Sequence, residues 1–166
     1  MPRKQNKVTY PPAIESRRLG TLKLESDLHL YEASERLTIP TRRVRLCPLG
    51  LRLVIWLPEV NVLDMTHFVT ALERQFDQWV NDLDRILHEA IPTIESAVAR
   101  FWQIPDERAP TAQELLDSGE ITHLNLSMGE ESHEMHIHDA GDLIGSHDLI
   151  LVLSDDFHPE SAYFDG

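Results

Sequence analysis

Glu134, His136 and His138 occupy alternate positions of one short segment, and His133 and Asp139 flank it. In an extended strand such residues point to one face, so two imidazoles and a carboxylate are presented together, the donor types of a zinc- or nickel-type site. Spacing alone leaves the coordination incomplete. A third or fourth ligand must come from elsewhere, for which His123, His147 and His158 are available, and neighbours must set each ring's tautomer. The same alternation describes the wet side of an antiparallel strand whose other side, Met135 and Ile137, is core, and this simpler arrangement is favoured.

The remaining chemistry-bearing residues are more isolated. His147 stands after Gly145 at the start of an apolar run, beside Asp148. Adjacent strand residues point to opposite faces, so Asp148 is badly placed to orient His147, and a structural imidazole is the expectation. Cys47, the only cysteine, precedes Pro48 among Arg42, Arg43 and Arg45. Those guanidinium groups favour a thiolate, although a cysteine at the edge of a core is the commoner situation. No serine or cysteine sits in a nucleophile motif, and there is no phosphate-binding glycine loop, so neither acyl transfer nor nucleotide binding has support. Arg42, Arg43, Arg45 and Arg52 form the one basic cluster of the folded part, suited to pair with acidic strands across a sheet.

Charge supplies a stronger argument than any motif. The 166 residues carry 15 Lys+Arg and 28 Asp+Glu, a formal net charge of -13. Residues 1–60 are net +5 and residues 61–166 net -18, and after Arg100 only Arg108 opposes 15 carboxylates. Such a surface repels nucleic acid and anionic membrane and attracts a basic partner or a cation. Glu130, Glu131, Asp139, Asp142, Asp155, Asp156 and Glu160 are the candidate partner-binding residues, expected to occupy a basic surface if strand turns gather them at one edge. Scattered solubilising charge on turns is the plainer account. One cysteine, no secretory leader and no apolar run long enough to span a bilayer lead to the expectation of a cytoplasmic protein.

These side chains must be positioned by a fold of recognisable pieces. Residues 1–18, with four Lys or Arg after residue 3, three prolines and no periodicity, read as an extended or disordered basic arm, and 19–166 as a single domain. Short strands are expected around Leu22–Leu24 and Leu28–Leu30, and a hairpin from Val44 to Leu57. From Met65 the apolar residues recur at three- and four-residue spacing through Ile91, with Asp64 as N-cap, and Pro92 ends or kinks the helix before a second segment to Trp102. Thr111–Glu114 is a capping box for a short helix that Gly119 stops. Strands follow at Ile121–Ser127, His133–His138, His147–Leu153, the last apolar on both faces and expected to be central, and around Ala162–Phe164. The fold class expected is α+β: a mostly antiparallel sheet packed against a long amphipathic helix and a short second helix. An edge strand would permit self-association.

The opening Leu19-Gly20-Thr21-Leu22, the strand pair, the long helix, the Thr111–Leu116 helix, the Asp139-Ala140-Gly141-Asp142-Leu143 segment and the Gly145-Ser146-His147 step before a β-rich strand occur in an order that resembles an uncharacterised, DUF-type family of small bacterial domains. The resemblance covers residues 19–166. Ala140, Ile144 and Ser146 stand where the family commonly has Asp-Gly, an aromatic and Gly-His in succession, which weakens the carry-over of a role to His147. What it implies is similarity to candidate immunity proteins found beside polymorphic toxins. The functional expectation is therefore a non-enzymatic, cytosolic binding protein that neutralises a cognate toxin by occluding a basic surface, with no cofactor. The alternative is a zinc-type metal enzyme or sensor using Glu134, His136 and His138 with His147 or His158.

Overall fold

The structure is a computed structural model that describes residues 10–39, 48–58, 64–104, 106–129, 132–145 and 147–165. Cys47 and the arginines at 42, 43 and 45, with the first half of the expected hairpin, lie outside the described residues. So do Glu130 and Glu131.

The fold is α+β. Among the described residues eight strands form one sheet in chain order: β1 (Ala13–Ser16), β2 (Gly20–Glu25), β3 (Leu30–Ala33), β4 (Arg52–Trp56), β5 (Glu120–Ser127), β6 (His133–His138), β7 (Asp148–Leu153) and β8 (Pro159–Asp165). Neighbours are antiparallel except β4 and β5, which run parallel because the helices α1 (Met65–Phe101) and α2 (Ala112–Ser118) cross over between them. Two antiparallel meanders are thus joined edge to edge by one helical crossover.

Of the expected arm, residues 1–9 lie outside the described residues, and Ala13–Ser16 form the edge strand β1. Ile14 and Tyr10 are buried in the main core, and β1 pairs with β2 along its length. Within β1 the buried side chains are Ile14 and Ser16, only one of them apolar, so the segment carries no apolar alternation to mark it as a strand. β7 is apolar on both sides as expected, yet it lies one strand from the edge rather than at the centre.

α1 is a single helix of 37 residues with Pro92 inside it, neither ended nor split there. Its buried residues, from Phe68, Leu72, Phe76 and Trp79 through Leu83, Ile86, Ala90 and Ile94 to Val98, follow one stripe. That stripe is continuous across the proline. Packing against the sheet therefore outweighs the loss of one backbone donor on the exposed side of the helix. At its start, Asp64 accepts from the Thr66 and His67 amides, and those two bonds hold its carboxyl below the usual range.

α1 crosses the sheet from one edge to the other. At the β1–β2 turn, Ser16 Oγ donates to Glu73 Oε1 at 2.6 Å and accepts from the Leu19 amide at 2.9 Å, while Arg18 pairs with Asp77 at 2.8 Å and lies over the Phe76 ring. At the other edge Arg85 Nη2 donates to the Asp156 carbonyl at 3.4 Å and Arg100 Nη2 to the Ala162 carbonyl of β8 at 3.1 Å. That last bond satisfies one acceptor on an edge strand otherwise open to self-pairing.

α2 begins in the expected capping box of Thr111 and Glu114, whose carboxyl is held down at about 2, first by the Arg108 hydrogen bond and then by Thr111. Gly119 ends it for want of space rather than for backbone freedom: a Cβ there would lie 2.5 Å from Ile137 Cγ2 and 2.6 Å from the Leu115 carbonyl.

Candidate functional site

Both helices cover one face of the sheet. Leu22, Tyr31, Leu53, Ile55, Leu124, Leu126, Met135, Ile137, Leu149 and Leu151 point to that side and join the α1 stripe in one core. Among the described residues no helix covers the opposite face, and the cross-strand registers say which residues share it, because directly opposed residues project to the same side.

Four rows cross this free face. Glu120, His138, Asp148 and Asp165 form one, across β5 to β8. Arg52, His123, His136, Ile150 and Tyr163 form the next, across β4 to β8. Ala13, Lys23, Glu32, Val54, Asn125, Glu134, Val152 and Ser161 form the third, and Glu25, Leu30, Trp56 and Ser127 the last.

Glu134, His136 and His138 do share this face, as the alternation requires. Their environments differ. His138 Nδ1 lies 2.8 Å from Asp148 Oδ1, so Asp148 serves His138 and not His147. Glu134 Oε2 accepts from Asn125 Nδ2 at 3.1 Å, and Asn125 Nδ2 also approaches His136 Nε2 at 3.3 Å. On that assignment His136 accepts at Nε2 and holds its proton on Nδ1. His123 stacks obliquely near His136, with ring centroids 5.5 Å apart. Burial holds the His123 pKa below its usual value, helped by His136, Arg52 and Arg36 and opposed by Asp148.

Tyr163 closes the network. It stands opposite Ile150, and its hydroxyl reaches over β7 to donate to Glu134 Oε1 on β6 at 3.2 Å. Its ring therefore lies along Ile150, which is only 3% exposed although it points away from the helices. Burial, then the Glu134 carboxylate, raises the Tyr163 pKa, so the donor keeps its proton. Val54 and Leu30 are likewise buried outside the main core. Val54 lies beside the 2.6 Å Arg52–Glu32 pair, and Leu30 faces Trp56. The free face is thus a thin second layer of polar and aromatic side chains over three apolar ones, with Trp56 (39%) and Tyr163 (43%) its most exposed rings.

The other two histidines proposed for a metal lie elsewhere. His158, in the β7–β8 turn, faces α1 through Glu89 and Arg85, and His147 packs on Phe101 at the end of that helix. Both are on the helix-bearing side of the sheet, so neither completes a set with Glu134, His136 and His138. Among the described residues no group of three or more His, Cys, Asp or Glu is arranged to hold a metal ion.

The described candidates for partner binding divide between the two ends of β6–β8. Asp139 and Asp142 lie in the β6–β7 connection, while Asp155, Asp156 and Glu160 lie at the β7–β8 turn. A strand of six residues spans ~20 Å, which separates the two groups. Asp139 is also 6% exposed and accepts the Ile144 amide at 2.6 Å, so it organises its loop instead of facing a partner. The acidic residues that lie together are Glu120, Asp148 and Asp165, in one row of the free face, with Glu134 on the same face four residues further along β6. Periodicity alone marked only Glu134, because the others are gathered by register between strands distant in sequence.

The groove of about 460 Å³ between α1 and α2, bordered by Arg85, His88, Gln113 and Asp117, is a shallow surface feature on the helix side. Among the described residues no helix is long and apolar enough to cross a membrane. No protein-family model, curated protein or solved structure matches this chain.

Proposed function

We propose that this chain is a non-enzymatic, cytoplasmic binding protein of the immunity type, which neutralises a toxin by covering a basic surface with the free face of its sheet. One observation supports the reading above others. The free face of β5–β8 presents Glu120, Glu134, Asp148 and Asp165 with the imidazoles of His123, His136 and His138, and β5–β8 contain no lysine or arginine. Such a face draws a basic partner by long-range attraction and discriminates against acidic ones.

Across the eight described strands, seven gaps of ~4.8 Å and a strand rise of ~20 Å give the face roughly 650 Å² before side-chain relief. A standard complex buries about 800 Å² on each partner, so the loops at the strand ends would contribute as well, and β2 and β4 add Lys23 and Arg52 to the part of the face outside β5–β8. Exposed Trp56 and Tyr163 supply anchors of the kind enriched at binding centres.

The test is complex formation with the toxin encoded beside the gene. Binding at low salt that weakens steeply with added salt, with protection on co-expression, is the expected result. Failure to form the complex together with failure to protect would overturn the reading.

A further inference from the structure

We infer that Glu134, with the exposed side of the Tyr163 ring, forms a receiving site for one arginine side chain of the partner; this deepens the binding role proposed above and rests on it. The carboxylate is already aimed. Tyr163 Oη donates to Oε1 at 3.2 Å and Asn125 Nδ2 to Oε2 at 3.1 Å, one bond on each oxygen. A carboxylate accepts about four hydrogen bonds, so roughly one lone-pair site on each oxygen remains for an incoming donor. Two free sites on two oriented oxygens match the paired N–H groups of a guanidinium, whereas an ammonium is a point charge that gains nothing from the second.

The surroundings favour the same ligand. Among the described residues no lysine or arginine is bonded to Glu134, whose only other close basic neighbour is the His136 imidazole, Nε2 at 3.8 Å from Oε2; Glu32, by contrast, has its carboxylate taken by Arg52 at 2.6 Å. The Tyr163 ring is 43% exposed while its other side covers Ile150, so a planar cation entering beside Glu134 can lie over the open π-face. Bidentate contact and stacking together are within reach of arginine alone among the coded side chains. The Tyr163–Glu134 bond also fixes both components before any partner arrives, which lowers the ordering cost of binding.

The experiment titrates the full chain, followed by amide NMR shifts, with an octa-arginine peptide and separately with an octa-lysine peptide. The wild type is expected to bind octa-arginine about fivefold or more tighter than octa-lysine, with shifts centred on β6–β8. Glu134→Gln, which keeps the shape and both bonds' geometry in large part, is expected to lose about tenfold in octa-arginine affinity, and Glu95→Gln on the exposed side of α1 to stay within about twofold. Tyr163→Phe, which keeps the ring but frees the carboxylate, is expected to erase most of the arginine preference, and it serves in place of Glu134→Gln should that variant misfold. Equal losses in Glu134→Gln and Glu95→Gln, or equal binding of the two peptides by the wild type, would overturn the arginine site while leaving the acidic-face reading in place. No binding of either peptide would overturn both.

Discussion

His133 Nδ1 accepts the Ser127 amide at 3.0 Å, and the ring that makes this bond is fully buried and stacked on Phe157 at 4.7 Å. A backbone donor on Nδ1 requires the neutral imidazole with its proton on Nε2. That nitrogen lies toward the Asp155 carbonyl without reaching hydrogen-bond geometry. Burial holds the pKa below the ordinary histidine value, and Asp155 opposes the shift only in part.

The folded chain consequently binds fewer protons at His133 than the unfolded chain. Its contribution to stability is complete above the unfolded value of about 6.5 and is lost as pH falls through the depressed folded value. Urea unfolding between pH 7.5 and 5 is expected to give a falling stability, and His133→Asn, whose side-chain oxygen can still accept the Ser127 amide, a shallower slope. An unchanged slope would place the pH dependence elsewhere, with His123, shifted in the same direction, the next group to substitute.

Removing the Tyr163 hydroxyl separates the strap from its ring. Tyr163→Phe deletes a half-exposed hydrogen bond and is expected to cost about 0.5–1 kcal/mol. Tyr163→Ala also uncovers Ile150 and is expected to cost about 2 kcal/mol. Equal costs in chemical denaturation would mean that the ring does not shield Ile150.

Ser16 links the first hairpin to α1, and its Oγ is both donor to Glu73 and acceptor for Leu19. Ser16→Ala leaves a buried amide without its partner, for an expected loss of about 1–3 kcal/mol. Hydrogen exchange should locate the loosening in β1 and β2. Uniform loosening of the whole sheet would show that the link is not local.

Pro92 lies inside α1 and denies the His88 carbonyl its helical donor. Pro92→Ala restores that bond and improves helix propensity, against a gain in unfolded-chain freedom, for a net stabilisation of about 1–2 kcal/mol. Thermal unfolding measures it directly. A destabilised variant would mean that the proline ring itself is packed.

Much of the architecture was legible in local patterns. The α1 stripe, the Asp64 and Thr111 caps, the Gly119 stop and the strands β5–β7 all follow from periodicity and capping chemistry, which act within a few residues. The β1 strand was not legible, because four residues with one buried side chain on each alternate position look like a charged tail until a neighbouring strand pairs with them. Helix continuity through Pro92 was equally hidden. Local propensity argues for a break, and only the buried stripe on both sides of it argues otherwise.

The amino-acid sequence by itself determined the fold class, the acidic bias of the second half and the common face of Glu134, His136 and His138, since each depends on composition or on the two-residue period of a strand. Only the tertiary structure decided which carboxylates stand together. Asp139 is turned inward by the loop it holds, Asp155 and Asp156 lie at the far end of the strands, and Tyr163 is brought to Glu134 across an intervening strand. Strand register sets these distances, and register is a pairing of segments far apart in the chain that no single segment specifies.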